Sequence, residues 1–440
     1  MRMKKTGLKI ILILMLFLPA GIIAARGNSN LPIRNDSLLQ QDFIKTELNS
    51  GFLFFRNNNR EALITDRSEH SFERADYNAD YFYGFNSWAY KKETQAEFSI
   101  LSGVGFLSGK GTSMRTDNLN NIKLDDKIFG LNLFMDFNYA SRFYFDEKNF
   151  TIVEAKGFGR VEKIRKHSEG FNIPSYGHFI SPLPHEEKIL DNRLRYGVHG
   201  RAGWGTGKMA PANYYMLADY IFDKYYNGQL FSETEKKQLA TIIARVKNNR
   251  SVKTGHSEEA EIKQFKEAAG KKLLIRLPEG IEEIWGMGEF SPRLDGTRFE
   301  VGPFFSYYNR EPDFIYGGYV KFEKKKYCNL SGNLNFTTEL SYNRYKKRDW
   351  VKWETGLFYD FYPNLRTKYS FGLTYIPVLI VNDFNDIEPV QHVLIPSFSC
   401  YSQVNEKLRA SLSFLYRIAD ENDFFMEGPE FSLAIYRSRY

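Results

Sequence analysis

Runs of alternating apolar and polar residues dominate this sequence. In residues 329–342, one set of alternate positions carries Leu330, Leu334, Phe336, Thr338, Leu340 and Tyr342. The intervening positions carry Asn, Ser, Thr and Glu. A period of two is typical of a β-strand whose two faces meet different surroundings. Comparable runs recur in both halves of the chain, for example at 127–139 and 406–416. We therefore predict an all-β fold.

The length of these runs distinguishes between two all-β architectures. Strands of a soluble β-sandwich also alternate, but they average about 5–6 residues. Several runs here cover about 10–14 residues, and a tilted strand needs about 9–11 residues to cross a bilayer. Aromatic residues make up 16% of the chain and recur near the ends of the runs, as an interfacial girdle requires. We predict a transmembrane antiparallel β-barrel of about 14 strands, within a range of 12 to 16.

The connections between the runs fall into two length classes. The predicted strands are 43–56, 75–89, 95–107, 127–145, 149–163, 193–206, 296–308, 313–324, 328–344, 349–361, 366–377, 390–401, 406–418 and 430–440. Short turns at 91–93, 146–148, 363–366 and 402–406 all fall on one side, which bacterial barrels turn towards the periplasm. Longer connections at 57–74, 108–126, 166–192, 378–389 and 419–429 fall on the outer side, where we expect loops.

Residues 1–25 read as a secretory signal peptide. A basic start with Arg2, Lys4, Lys5 and Lys9 precedes an apolar stretch from Ile10 to Ala24, and small residues then offer a cleavage site. Its removal lowers the formal net charge from +7 to about +3, and no basic block stands out. We therefore expect no nucleic-acid partner. The predicted organisation is a signal peptide at 1–25, barrel strands at 26–206, a mainly helical insert at 207–295 and barrel strands at 296–440.

The insert changes from strand to helix periodicity. Tyr214, Leu217, Ala218, Ile221 and Tyr225 share one helical face. Ser232 and Glu235 have the spacing of a capping box, and further apolar stripes follow at 239–246 and 262–269. The strand count places the insert in the periplasm. We predict a self-packed cap, with two alternatives: a plug that closes the lumen, or a docking module at 207–272 for a periplasmic partner.

The last run supplies a resemblance. Residues 431–440 read as a strand, and the final residue, Tyr440, is aromatic. Here the chain resembles Gram-negative outer-membrane β-barrel proteins as a class, and no specific family within it. The resemblance implies location in the cell outer membrane, contact with outer-membrane lipid, and recognition by the barrel-assembly machinery through the C-terminal strand.

Motifs for chemistry are weak in this sequence. The Gly-rich run at 203–208 lacks the Gly and the Ser or Thr that a phosphate-binding loop requires, so we predict no cofactor. His167, His178 and His185 lie near carboxylates, but their spacing matches no compact metal-ligand motif and makes them weak candidates. His392 is separated from Ser397 and from Ser399 by an odd number of positions, so it lies on the opposite face of the strand from both serines. We therefore predict no catalytic residues.

The inward-facing positions carry the strongest functional signal. Charges of both signs in a lumen need water or one another. The candidate lumen-lining residues are Glu97, Asp136, Arg298, Glu300, Lys321, Glu339, Lys352, Glu354, Lys368 and Arg409. We predict a porin-like channel or passive transporter for a small solute or an amphiphile. The alternative is a closed structural barrel that displays surface loops or anchors a periplasmic complex, and a membrane-embedded enzyme ranks last.

Overall fold

The structure is a computed structural model. It describes residues 42–65, 68–117, 120–174, 182–226, 231–249, 258–273, 280–286, 292–309, 313–346, 348–382, 390–405, 407–419 and 425–439. The predicted signal peptide at 1–25 and the last residue, Tyr440, lie outside these ranges.

Fourteen antiparallel strands form a closed barrel in which each strand pairs with its neighbours in sequence. The ring closes between the first and last strands, from Leu48 opposite Arg439 to Arg56 opposite Phe431. The predicted fold and strand number are therefore confirmed. The strands are β1 (Phe43–Thr65), β2 (Ser68–Tyr90), β3 (Thr94–Asp117), β4 (Asn120–Tyr144), β5 (Asn149–Pro174), β6 (Leu183–Pro211), β7 (Leu294–Tyr308), β8 (Phe314–Asn329), β9 (Gly332–Tyr345), β10 (Arg348–Asn364), β11 (Thr367–Asn382), β12 (Gln391–Gln403), β13 (Leu408–Ala419) and β14 (Gly428–Arg439).

The two faces of the ring differ as the alternation predicts. On β4, Leu131 and Leu133 are half exposed on the outer surface, whereas the intervening Asn132 is buried inside the ring. Exposed aromatic side chains ring the outer surface near both ends of the strands. Those at the short-turn end include Phe143, Phe145, Trp204 and Phe361, and those at the opposite end include Tyr196, Tyr307, Tyr316 and Tyr342. An apolar outer band with aromatic edges is the surface that a bilayer requires.

The first six strands are much longer than the other eight. β1 to β6 have 23–29 residues each, whereas β7 to β14 have 12–17. The sequence placed loops at 57–74, 108–126 and 166–192, and this was wrong, because most of each segment continues the adjacent strands as paired hairpins. The three long hairpins therefore project beyond the rest of the outer rim on one side of the barrel.

Helices lie between β6 and β7, at the short-turn end. In the described part of the chain they are α1 (Asn213–Tyr225), α2 (Glu233–Lys247), α3 (Glu258–Leu273) and α4 (Glu282–Trp285). We call residues 212–293 the helical insert. None of these helices has the length and apolar content to span a membrane. β6 ends at Pro211, which pairs with Leu294 at the start of β7. The insert is therefore slightly shorter than the predicted 207–295.

Local signals in the sequence explain how the helices begin and pack. The side chain of Ser232 accepts a hydrogen bond from the backbone N–H of Glu235, while the Glu235 carboxylate accepts one from the Ser232 backbone N–H, which is the predicted capping box. These backbone hydrogen bonds lower the pKa of Glu235. The apolar stripes of α1, α2 and α3 meet in one buried cluster, which also includes side chains of the barrel rim.

Replacing Leu133 with Arg should destabilise the folded barrel by about 2–4 kcal/mol, because the charge would face lipid near the middle of the apolar band. Urea titration of folding into phospholipid vesicles measures this change. Leu133→Met keeps volume and polarity and should change stability by less than about 1 kcal/mol. Equal stability of Leu133→Arg and Leu133→Met would contradict the assignment of this face to lipid.

Candidate functional site

The lumen near the short-turn end contains a layer of buried ion pairs. Arg142 of β4 contacts Glu300 of β7 at 2.6 Å, and two strands, β5 and β6, lie between them in the ring. Arg298 lies 3.2 Å from Glu300 and 2.5 Å from Glu323 on β8. Arg142 and Glu300 are both almost completely buried, so their mutual contact replaces the water that each charge would otherwise need. The Arg142–Glu300 contact therefore joins strands that are not neighbours, whereas Arg298 contacts a residue of its own strand and one of the adjacent strand.

Two further groups of ion pairs complete this layer. Glu47 on β1 contacts Lys45 at 2.6 Å and Arg409 of β13 at 3.1 Å. Higher in the barrel, both terminal nitrogens of Arg201 on β6 donate to the two carboxylate oxygens of Glu339 on β9, at 2.9 and 2.7 Å. A bidentate arginine–carboxylate pair fixes both side chains in one geometry. The ion-pair layer therefore joins strands that are not neighbours.

The structure places all ten candidate lumen residues on the inward rows of their strands. Glu97 accepts a hydrogen bond from the Tyr90 hydroxyl, and Lys321 lies 3.2 Å from Glu323. Lys352 and Glu354 contact each other at 3.1 Å and are more exposed than the pairs above. Lys368 lies in the inward row of β11. The others belong to pairs already described, except Asp136, which contacts Arg160. Their effect on selectivity stays a prediction.

Beyond the ion-pair layer, further from the short-turn end, the lumen contains a cavity of about 320 Å³. Its described lining is mainly apolar on two facing parts of the wall, with an ion pair on one side. The lining includes Leu53, Phe55, Leu101, Phe134, Asp136, Arg160, Ser413, Leu415, Glu430 and Ser432. Arg160 donates to both oxygens of Asp136 at 3.1 Å and lies over the Phe134 ring. The cavity thus combines apolar side chains with the Arg160–Asp136 pair and with Glu430, which contacts Arg417 at 2.7 Å.

The helical insert covers the short-turn end of the lumen. Its buried cluster includes side chains from seven strand or turn positions of the barrel: Phe43, Tyr90, Met209, Ala210, Leu294, Tyr327 and Leu365. Asn248, just after α2, accepts from the Ile44 backbone N–H at 2.9 Å and donates to the Asp42 carbonyl at 2.7 Å. Gln403 at the end of β12 donates to the Gly286 carbonyl at 2.8 Å. The insert therefore contacts the rim at several points around the ring.

Arg293 anchors the other side of the insert. Its guanidinium donates to the carbonyls of Asn329 and Leu330, in the turn between β8 and β9, at 3.0 and 3.1 Å. The same group lies 3.8 Å from the centroid of the Tyr362 ring. Its backbone N–H donates to the Asn213 side chain at 2.8 Å. Because Arg293 is almost fully buried, these contacts fix the end of the insert where the chain re-enters the barrel.

A tyrosine–carboxylate contact joins the first two helices. The Tyr215 hydroxyl on α1 donates to Glu233 at 2.6 Å. Burial, together with this carboxylate, raises the pKa of Tyr215 above its ordinary range. The hydroxyl therefore stays protonated and keeps donating at physiological pH.

The structure brings one serine–histidine pair together inside the lumen. His199 Nδ1 lies 2.7 Å from the Ser306 hydroxyl on the neighbouring strand. Arg201 donates to His199 Nε2 at 2.9 Å, so this nitrogen must accept and the proton lies on Nδ1. The imidazole then donates to Ser306 and has no lone pair with which to remove its proton. This geometry differs from that of an activated nucleophile.

The weak metal candidates do not converge. His167 faces outward and contacts Glu169, whereas His185 pairs in register with Gly170 and falls on the opposite face of the same hairpin. His178 lies outside the described residues. Among the described residues, no group of three or more His, Cys, Asp or Glu side chains is arranged to hold a metal ion.

The Gly-rich run at 203–208 has a structural role in the wall. A Cβ at Gly203 would lie 2.3 Å from the Val301 carbonyl oxygen on β7. Gly207 has a φ of +99°, a conformation that L-residues rarely adopt, at the point where the strand pair bends towards the insert. These glycines therefore allow close approach and bending.

Several charged residues of the lumen are not among the sequence-based candidates. Arg142 shares the parity of Asp136 on β4, so continuing the alternation by six residues would have found it. Arg74 and Asp126 are buried on inward rows of segments that the sequence analysis assigned to loops, and Asp76 lies just inside the predicted strand 75–89. These segments also alternate between inward and outward positions, but their outward side chains form no apolar face, so the alternation is not visible in the sequence.

The solved structures to which this chain is similar are β-barrels. The translocator domain of autotransporter NalP from Neisseria meningitidis is 8% identical, with a TM-score of 0.30, over 99% of this chain and 98% of that one. The outer membrane protein OprD from Pseudomonas aeruginosa is 7% identical, with a TM-score of 0.32, over 90% and 94%. No protein-family model matches the chain, and no curated protein matches it in sequence. Similarity at this level carries no information about activity.

The fold is that of a membrane-spanning β-barrel. The closed ring satisfies its own backbone, its outer surface is apolar with aromatic edges, and its charges lie inside.

Single substitutions Arg201→Gln and Glu339→Gln should each destabilise the barrel by about 1–3 kcal/mol, because each leaves a partly buried charge unpaired. The double variant should lose less than the sum, with a coupling of about 0.5–3 kcal/mol in urea titrations. The exposed pair Lys352–Glu354 provides the matched control, and the corresponding cycle should give a coupling below about 1 kcal/mol. Additive losses at Arg201 and Glu339 would contradict a direct contact across the lumen.

Proposed function

We propose that this protein is a gated passage through the outer membrane, closed at its periplasmic end by the helical insert. The contacts of the insert with β1, the β8–β9 turn and β12 carry this proposal, because they span the mouth of the ring. Short turns mark this end as periplasmic. The insert thus corresponds to a plug, one of the alternatives that the sequence left open.

The way in which the insert is held supports movement. Its helices bury their apolar stripes against one another, with Leu239, Ile243 and Phe265 fully enclosed. The same cluster also encloses barrel side chains such as Phe43 and Tyr90, so displacement of the insert would expose that shared part while the contacts between the helices remain. The polar anchors at Asn248 and Gln403 are individual hydrogen bonds, each contributing about 1 kcal/mol net. Displacement of the insert would expose the charged layer to water and allow it to hydrate.

The cavity suggests the class of molecule that passes. Its apolar lining can hold a small hydrocarbon body, and the neighbouring Arg160–Asp136 pair offers a donor and an acceptor to a polar group. A small amphiphile combines these two features. The passage proposed here therefore suits an amphiphile better than a simple ion.

A specific observation favours a second candidate, a permanently closed barrel. The pairs Arg142–Glu300 and Arg201–Glu339 cross the lumen without any residue of the insert. If they persist after the insert leaves, the barrel stays closed and its long hairpins become its functional part. These two candidates differ in what happens when the insert is removed.

Deletion of the insert should produce conductance in planar bilayers. Pro211 and Leu294 pair directly, so a short Gly-Ser turn can replace residues 212–293. The full-length barrel should be mostly silent, and the deletion variant should show long-lived open levels. Heat-dependent electrophoretic mobility verifies that both proteins are folded. Silence of both folded proteins would reject the passage and favour the closed barrel.

A single substitution tests the gate in the full-length chain. Asn248→Ala removes the hydrogen bonds to Ile44 and Asp42 and should raise the frequency of openings several-fold, because the insert loses about 2 kcal/mol of attachment. The neighbouring Asn249→Ala changes an exposed side chain and serves as the matched control. Equal opening frequencies for the two variants would argue against a latch at Asn248.

A further inference from the structure

Four cationic side chains lie together on the outer surface of β3 to β5, at the outer edge of the apolar band. They are Lys110, Lys127, Lys163 and Arg165, and we call them the basic patch. All four are exposed. Lys110 is directly opposite Lys127 in the β3–β4 ladder, and Arg165 and Lys163 are opposite Phe129 and Leu131 in the β4–β5 ladder. Neighbouring strands are about 4.8 Å apart, so the four side chains share a small area.

The position of the patch is fixed by the lipid-facing residues beside it. On β4 the outward positions from Phe129 to Tyr139 are all apolar or aromatic, and Lys127 is the next outward residue. This stretch matches the 9–11 residues that a tilted strand needs to cross the hydrocarbon. Lys163 and Arg165 lie at the last apolar rows, where long side chains extend towards the headgroup level. The patch therefore lies at the headgroups of the outer leaflet.

The charges of the patch are not neutralised within the described chain. None of the four is within 4 Å of a described acidic group, and like charges directly opposite each other in a ladder are destabilising. Neighbouring basic side chains differ in this respect: His167 contacts Glu169, and Lys188 lies 2.6 Å from Glu186. On the opposite side of the barrel, the outward Arg344 lies 3.7 Å from Asp349. At this edge of the apolar band the patch thus gathers four positive charges without a directly paired acid among the described residues, and Glu169 on β5 interacts with Lys127 only at longer range.

We propose that the basic patch binds the phosphate groups of an anionic lipid in the outer leaflet. The acyl chains of this lipid would cover the apolar band around Leu131 and Leu133, and its phosphates would lie between Lys110, Lys127 and Arg165. The fork of an arginine suits phosphate oxygens in a bidentate contact, and lysines supply point charges. Continuity with the lipid-facing surface favours a lipid phosphate over a free anion. This inference is independent of the gate.

Lipid titration of the full-length barrel in a non-ionic detergent tests the proposal. The probes are diphosphoryl lipid A and the same glycolipid without its phosphates, and native mass spectrometry counts the bound molecules. Half-occupancy should require at least about tenfold less of the phosphorylated form, since each cation near a charged headgroup contributes about 1 kcal/mol. Higher salt should reduce this preference.

Two variants and a control assign the preference to the patch. Replacing all four residues with Gln should abolish the difference between the two lipids. Exchanging Lys for Arg and Arg165 for Lys keeps the charge and should keep the preference. Gln at Lys91, Lys148, Lys326 and Lys407, which are exposed at the short-turn end, removes four charges elsewhere and should leave binding unchanged.

Three results would overturn the proposal. They are equal binding of both lipids by the natural sequence, an unchanged preference in the folded Gln variant, and displacement of the lipid by inorganic phosphate at matched ionic strength. The last result would identify an anion site instead of a lipid site.

Discussion

The hydrocarbon of a bilayer offers no hydrogen-bond partner, so every backbone N–H and C=O within it must be satisfied by the protein itself. A ring of strands meets this requirement only when its first and last members pair, as β1 and β14 do from Leu48 to Arg56. Closure then separates two surfaces. Because side chains alternate along each strand, the pairing register alone determines that Leu133 faces lipid and Asn132 faces the lumen.

On the inner surface, the groups that need partners are charged side chains. Charged side chains inside a narrow ring lose water, and they recover stability only by contacting a partner of opposite charge. The long reach of arginine allows such partners to be three strands apart, as for Arg142 with Glu300 and Arg201 with Glu339. The ion-pair layer and the helical insert together occupy the short-turn end of the lumen. The cavity beside Arg160 lies further out, so the interior is divided along the barrel axis.

Strand number, strand parity and the helical insert could all be predicted from the sequence, because each depends on a local period. The capping box at Ser232 and Glu235 is equally local. Prediction failed at residues 57–74, 108–126 and 166–192, where the strands leave the lipid. Both faces then meet polar surroundings, and a stretch such as 108–113, with Ser, Gly, Lys and Thr, shows no apolar alternation. Side-chain contacts inside the lumen could not be predicted either. The partner of His199 depends on the register between neighbouring strands, and the partner of Arg201 depends on the curvature of the whole ring.

The position of the helical insert in the strand order has a mechanical consequence. β6 and β7, from which it arises, stand across the ring from the β1–β14 seam. Asn248 nevertheless bonds to β1 beside that seam. An element rooted on one side and bonded to the other acts as a cross-brace, which resists flattening of the ring and separation of its terminal strands.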